Sequence, residues 1–217
     1  MRILGFDPSL TNFGWALYDT EATGAARCTA RGRFQTPAKM LFITRYMFMR
    51  EAVRDLIQEH KPDRFGLESP IFNDLWSEGM YGLFLYTCEA LYLEKVDMVL
   101  FAPPQVKAHA RLFLKRPTKP MWKMNKPDMV EAARDHTGGK GRWNHNEADA
   151  YWVAVVAGRF WQFYDGTLAE HELTPIERKQ FNDVHTYVRG KKEGKTEHRG
   201  IVFREDDRFF LWSAVKD

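Results

Sequence analysis

The sequence has few of the features that assign a chain to a membrane, a secretory route or a disulfide scaffold. Its 217 residues include two cysteines, Cys28 and Cys88, far apart and neither in a Cys-x-x-Cys pair. That argues against a structural zinc or a disulfide framework and fits a reducing cytoplasm. No apolar run approaches the length of a membrane span. No basic region followed by an apolar stretch and a cleavage site is visible, so no export signal is read. Internal repeats and low-complexity tracts are also missing. Hydrophobic residues make up 44% and aromatics 14%, a composition that can bury a core and excludes a disordered chain.

Net charge is only +3, which says little about partners. One local absence says more. From Met98 to Pro127 there is no acidic residue, while Lys107, Arg111, Lys115, Arg116, Lys119, Lys123 and Lys126 stand there with Phe113 and Trp122. Solvated faces normally mix signs, so a long one-sign segment interleaved with aromatics favours a polyanion partner. Gly138 to Trp143 adds a flexible basic loop with Lys140 and Arg142. These cations, with Lys107, Lys115, Arg116, Lys119, Lys123 and Lys126, are the candidate phosphate contacts. Phe72, Trp76 and Trp143 are candidates to stack on unpaired bases, with core packing the stronger reading for each.

Ile3, Leu4 and Phe6 read as a buried strand ending at Asp7, and Pro8-Ser9 begins a turn. Trp15 to Tyr18 gives a second strand and residues 29–36 a third, in a meander. Thr36-Pro37 has the form of an N-cap followed by proline at the first helical position. The segment from Lys39 to His60 places Tyr46, Met49, Val53, Leu56 and Ile57 on one helical face. Arg64 to Pro70 reads as a strand carrying Glu68 at its far end. A helix over about Leu75 to Glu94 and a strand from Met98 to Phe101, stopped by Pro103-Pro104, follow. A last long helix runs from about Asn146 to Phe163. Thr174-Pro-Ile-Glu177 has capping-box form and opens a short helix, and Ile201–Phe203 with Arg208–Trp212 suggests a closing hairpin. The division expected is a main domain over 1–164 and an extension over 165–217.

Three acids then share one feature. Asp7 and Glu68 end strands, and Asp149 lies near the start of the last long helix. Carboxylates gathered at one sheet edge repel one another, so such a pocket calls for cations. Oxygen-rich sites suit Mg2+ or Mn2+, and two ions can activate a water and stabilise the leaving oxygen of a phosphodiester. An acidic pocket with a basic rim reads as a nuclease.

Four motifs in order, Ile-Leu-Gly-Phe-Asp-Pro-Ser-x-Thr-Asn-x-Gly (Ile3 to Gly14), Gly-Leu-Glu (Gly66 to Glu68), Gln-Val-Lys (Gln105 to Lys107) and Glu-Ala-Asp-Ala (Glu147 to Ala150), resemble the RuvC Holliday-junction resolvases. The resemblance covers about Met1 to Gly158. It implies an α/β, ribonuclease H-like fold: a five-stranded mixed sheet, first three strands antiparallel, flanked by helices. It implies a homodimer that cuts branched DNA at four-way junctions with divalent metal. Asp7, Glu68 and Asp149 become metal ligands. Lys107 matches a lysine that approaches DNA near the scissile phosphate, and Lys126 a second. The extension has no counterpart in that pattern; such additions are reminiscent of phage-encoded members.

One position departs from the pattern. The family places a fourth carboxylate three residues before the last Asp, where this chain has Asn146. Helical spacing lets both Asn146 and His145 share the face of Asp149, whereas Glu147 lies on nearly the opposite side. Some RuvC-like nucleases use a histidine at this helix end, so His145 stands as a metal-ligand candidate beside a solvent-facing reading. A neutral amide oxygen weakens metal binding, which leads to the expectation that Asn146→Asp raises cleavage. Two rivals remain. One is a branched-DNA-binding protein impaired in cleavage. The other is an actin-like or sugar-kinase-type ATPase, which needs a second domain and a phosphate-cradling loop where Pro8-Ser9-Leu10 stands.

Overall fold

The computed structural model describes residues 1–69, 78–115, 124–139, 141–185, 201–205 and 208–211. Strands β1 (Arg2–Asp7), β2 (Asn12–Asp19) and β3 (Cys28–Gln35) form the antiparallel meander. Strands β4 (Arg64–Glu68) and β5 (Met98–Phe101) add to β1 in parallel. These are the five strands expected. The hairpin β6 (Ile201–Glu205) and β7 (Arg208–Leu211) pairs antiparallel beyond β5, so the sheet has seven strands in the order β3-β2-β1-β4-β5-β6-β7.

Helices cover both faces, which is why β5 and the interior of β1 (Ile3 to Phe6) are buried continuously and do not alternate. Side chains of β1 still alternate in destination. Leu4 and Phe6 join a core with α1 (Phe42–His60) and α2 (Glu78–Leu93), while Ile3 faces the other core. That second core gathers α3 (Pro103–Ala110), α4 (Lys126–His136), α5 (His145–Tyr164) and α6 (Pro175–His185). Helix α5 is its largest contributor. Trp152 and Trp161 are fully buried there, and their indole N–H groups donate to the carbonyls of Met129 (3.2 Å) and Phe65 (3.1 Å), as buried tryptophans require.

The expected apolar face of α1 is buried as read: Tyr46, Met49, Val53, Leu56 and Ile57. Its start is not. Thr36 does not cap it; the Thr36 hydroxyl donates to the Leu10 carbonyl at 2.6 Å, and the helix begins at Phe42. Arg45 reaches back to the carbonyls of Pro37, Ala38 and Met40, satisfying the intervening turn. Pro103 and Pro104 likewise begin a helix where the sequence suggests only a stop. Proline suits the first helical turn, whose N–H groups need no intrahelical partner. The capping box at Thr174 and Glu177 forms as read.

Candidate active site

Phe6 pairs with Leu67 in the parallel β1–β4 register, so Asp7 and Glu68 follow at the same end of adjacent strands. Parity sends Leu4, Phe6, Phe65 and Leu67 toward α1 and α2, and leaves Asp7 and Glu68 on the α5 face. Helix α5 comes very close to that face. A Cβ on Gly5 would stand 2.5 Å from the Ala154 nitrogen, and one on Gly14 would stand 2.6 Å from the Asn146 carbonyl carbon. Only glycine allows this approach, and it brings Asp149 down to the two strand ends.

The electrostatics show that the three acids meet. The Asp7 carboxyl is held well above the usual carboxylate range, first by burial, then by the charge of Glu68 and a hydrogen bond with it. Glu68 is raised to about 7 by burial, with the charge of Asp149 adding to this and the Asp7 hydrogen bond opposing it. Asp149 is raised to about 7 by burial and then by the charge of Asp7. Lys107 opposes all three shifts, and Lys126 opposes those of Asp7 and Asp149. One oxygen of Asp149 is buried without a hydrogen-bond partner. Among the described residues, no three carboxylate, histidine or cysteine side chains form a ready-made metal cage.

Caps position the surroundings. Asn144 accepts from the Asn146 N–H at 2.9 Å and starts α5, while Glu147 accepts from the Asn144 N–H and from Arg31 (3.2 Å). Glu147 is thus spent on the helix start and β3. Asn125 and Asp128 form a reciprocal cap at 3.1 Å that starts α4 and sets Lys126 in its first turn. Asn146 is buried, and its side-chain amide donates to the Asn12 carbonyl. His145 lies at the rim, its pKa lowered by burial and then by Lys126 and Arg33.

No family model matches the chain. RuvC crossover junction endodeoxyribonucleases do: that of Gloeobacter violaceus is 33% identical over 111 residues, 49% of this chain and 62% of the relative. That of Rhizobium etli is 29% identical over 73 residues, 34% of this chain and 43% of the relative. The matches therefore span less than two thirds of either relative. The Thermus thermophilus RuvC structure superposes with a TM-score of 0.62 at 18% identity, covering 76% of this chain and 97% of that one. The chain is RuvC-like in sequence and fold. A second Thermus RuvC structure, in complex with Holliday junction substrate, gives a TM-score of 0.60 at 16% identity and covers 75% of this chain and 96% of that one.

On this RuvC-like frame, Lys126 and His145 line a cleft of about 670 Å³ together with Arg134, Trp143 and Asn144. Lys115 is largely exposed, 3.5 Å from Asp135. The Arg142 side chain is exposed, and its carbonyl accepts from Arg31. Arg116, Lys119, Lys123, Lys140, Phe72 and Trp76 lie outside the described residues. Trp143 is a core residue, buried beneath the Arg31 guanidinium at 3.8 Å. Sequence reasoning passed over Arg31 and Arg33. Their partners in β2, Ala16 and Gly14, face α5, so both arginines stand on the site's side of the sheet. Their two-residue spacing on a strand was the available signal.

Proposed function

We propose that this chain is a divalent-metal-dependent endonuclease of branched DNA, resolving four-way junctions by paired nicks from a homodimer. The observation that carries this reading is the gathering of Asp7, Glu68 and Asp149, from three distant parts of the chain, into one half-buried pocket beside Lys107 and Lys126. Three half-buried acids with raised affinities for protons are an unfavourable arrangement unless something positive is to replace those protons. The orphaned Asp149 oxygen fits a cation as well.

Asp7, Glu68 and Asp149 would hold the metal, two Mg2+ or Mn2+ ions per site, with His145 at the rim. Bound cations would supply an activated water and stabilise the leaving oxygen. Lys107 and Lys126 orient the phosphate, and the exposed cations Lys115 and Arg142 hold flanking backbone in register, with Arg33 on the same face. The undescribed Arg116, Lys119, Lys123 and Lys140 belong to the same basic segments. Residues 1–164 form the nuclease domain in this reading, and 165–217 an extension of it. A cytoplasmic location fits DNA processing and the two free cysteines; no described helix is long and apolar enough to cross a membrane.

A dimer is supported by the apolar residues exposed on α1 and α2: Phe42, Ile43, Met47 and Phe48, with Leu85 and Leu93. Exposed apolar surface of this kind often marks an interface. The reading is tested by nicking of a synthetic four-way junction in Mg2+ or Mn2+, beside flap and Y-shaped DNA, with Asp7→Asn as the blank. Symmetric nicks absent from Asp7→Asn are expected. Tight junction binding without nicks would favour the alternative, a binding protein, to which Asn146 in place of a carboxylate lends its one argument.

A further inference from the structure

Helix α6 lies in the segment over 165–217, which the motifs between Ile3 and Ala150 do not reach. Helix α6 is tied into the core by Phe181, fully buried against the rings of Phe101, Phe160 and Phe163 at 6.4, 5.5 and 6.0 Å. One of its polar side chains does something more specific, because it reaches α3. Gln180 donates at 3.0 Å to the carbonyl of Gln105. Glu177 approaches Nδ1 of His109 to 3.8 Å without a hydrogen bond; its carboxylate accepts instead from Arg159 of α5 at 2.8 Å and from the Thr174 N–H at 2.9 Å. Gln105 and His109 flank Lys107 by two residues on either side.

Helix α3 has eight residues and would be marginal alone. It also carries the lysine whose charge acts on all three pocket acids. We propose that α6 is a positioning element: through the Gln180 hydrogen bond it fixes the placement of α3, and so holds Lys107 against the carboxylate pocket. The inference rests on the nuclease reading. Covering the apolar core alone would need Phe181 but not this polar contact.

The test uses the full chain with Gln180→Ala and Gln180→Leu, each alone and combined with Lys107→Ala. Single-turnover nicking and junction affinity are measured for every version. Each α6 substitution should slow nicking about tenfold through misplacement of a charged group, leave junction affinity unchanged, and cost nothing further in the Lys107→Ala background. An equal loss in both backgrounds, or no loss, overturns the proposal. Both substitutions remove one hydrogen bond and leave Phe181 in place, so either serves if the other does not fold. Absence of nicking by the unsubstituted chain would count against the nuclease reading alone. Amide exchange of α3 then decides: faster exchange confined to residues 103–110 in Gln180→Ala supports the positioning role, and unchanged exchange removes it.

Discussion

The side-chain amide of Asn146 donates to the main-chain carbonyl of Asn12, joining the first turn of α5 to the start of β2 across 134 residues of sequence. Only the nitrogen of the amide can make this bond, so its orientation is set. An aspartate at 146 would turn a carboxylate toward a carbonyl, acceptor against acceptor. The gain in cleavage expected from restoring a carboxylate is therefore offset by a lost buried hydrogen bond. Asn146→Asp should lower stability by about 1–3 kcal/mol, read from the urea midpoint, and should not raise nicking at saturating Mg2+. A faster variant would mean that residue 146 turns into the pocket once it is charged.

Gly5 lies directly beneath α5. A methyl group there would meet the Ala154 nitrogen and, at 2.7 Å, its Cβ. Neither atom can yield without moving the helix. Gly5→Ala should cost about 1–3 kcal/mol as an overpacking change and slow nicking as well, because the displaced helix carries Asp149. A variant as stable as its parent in denaturant would show that α5 has room to shift.

Much of this was legible in the letters, for identifiable reasons. Asp7 and Glu68 end apolar runs, and strand ends in a parallel pair fall at one edge. Asp149 follows a cap and a helical pattern, so its approach to that edge was readable too. What could not be read is tertiary. Thr36 looks like a helix cap, but a carbonyl from Leu10 takes its hydroxyl. Pro103-Pro104 reads as a stop until Gln105 is seen closing the first turn by accepting from the Ala102 N–H at 2.8 Å. Helix α4 was passed over although Asn125 and Asp128 stand at capping-box spacing, because that stretch draws attention first through its charge.

The pocket acids also set how the metal-free chain responds to pH. Glu68 and Asp149 sit at about 7 in the fold, against ordinary values of 4.5 and 3.8, and Asp7 is raised as well. The folded state therefore keeps protons that the unfolded chain releases, and these groups withdraw stability as pH rises from about 4 to about 7. A cation held by these acids would take the place of those protons. Added Mn2+ should raise the melting temperature strongly at about pH 8 and much less at about pH 5.5, where protons compete for the same oxygens. Equal shifts at both values, or equal shifts for wild type and Asp7→Asn, would place the ion elsewhere.

His109 gives a titration of the opposite sign. It is 1% exposed, both ring nitrogens lack hydrogen-bond partners, and the Phe113 and Trp152 rings lie 5.8 and 6.3 Å away. Burial lowers its pKa from 6.5 to about 4, outweighing the Glu177 carboxylate 3.8 Å away, so the contact at neutral pH is not an ion pair. The unfolded chain takes the proton first. The stability linked to His109 is thus complete above its ordinary pKa and is lost as pH falls from 6.5 toward about 4, at up to about 1.4 kcal/mol per pH unit. His136, lowered to about 3 by burial and bonded to the Tyr151 hydroxyl at 3.0 Å, acts in the same direction. His109→Leu should flatten the fall in unfolding free energy between about pH 6 and pH 4.5 by up to that one-proton slope. Comparing the two proteins cancels the carboxylate contribution, which they share. An unchanged slope would mean that His109 is already protonated in the fold, an imidazolium paired with Glu177.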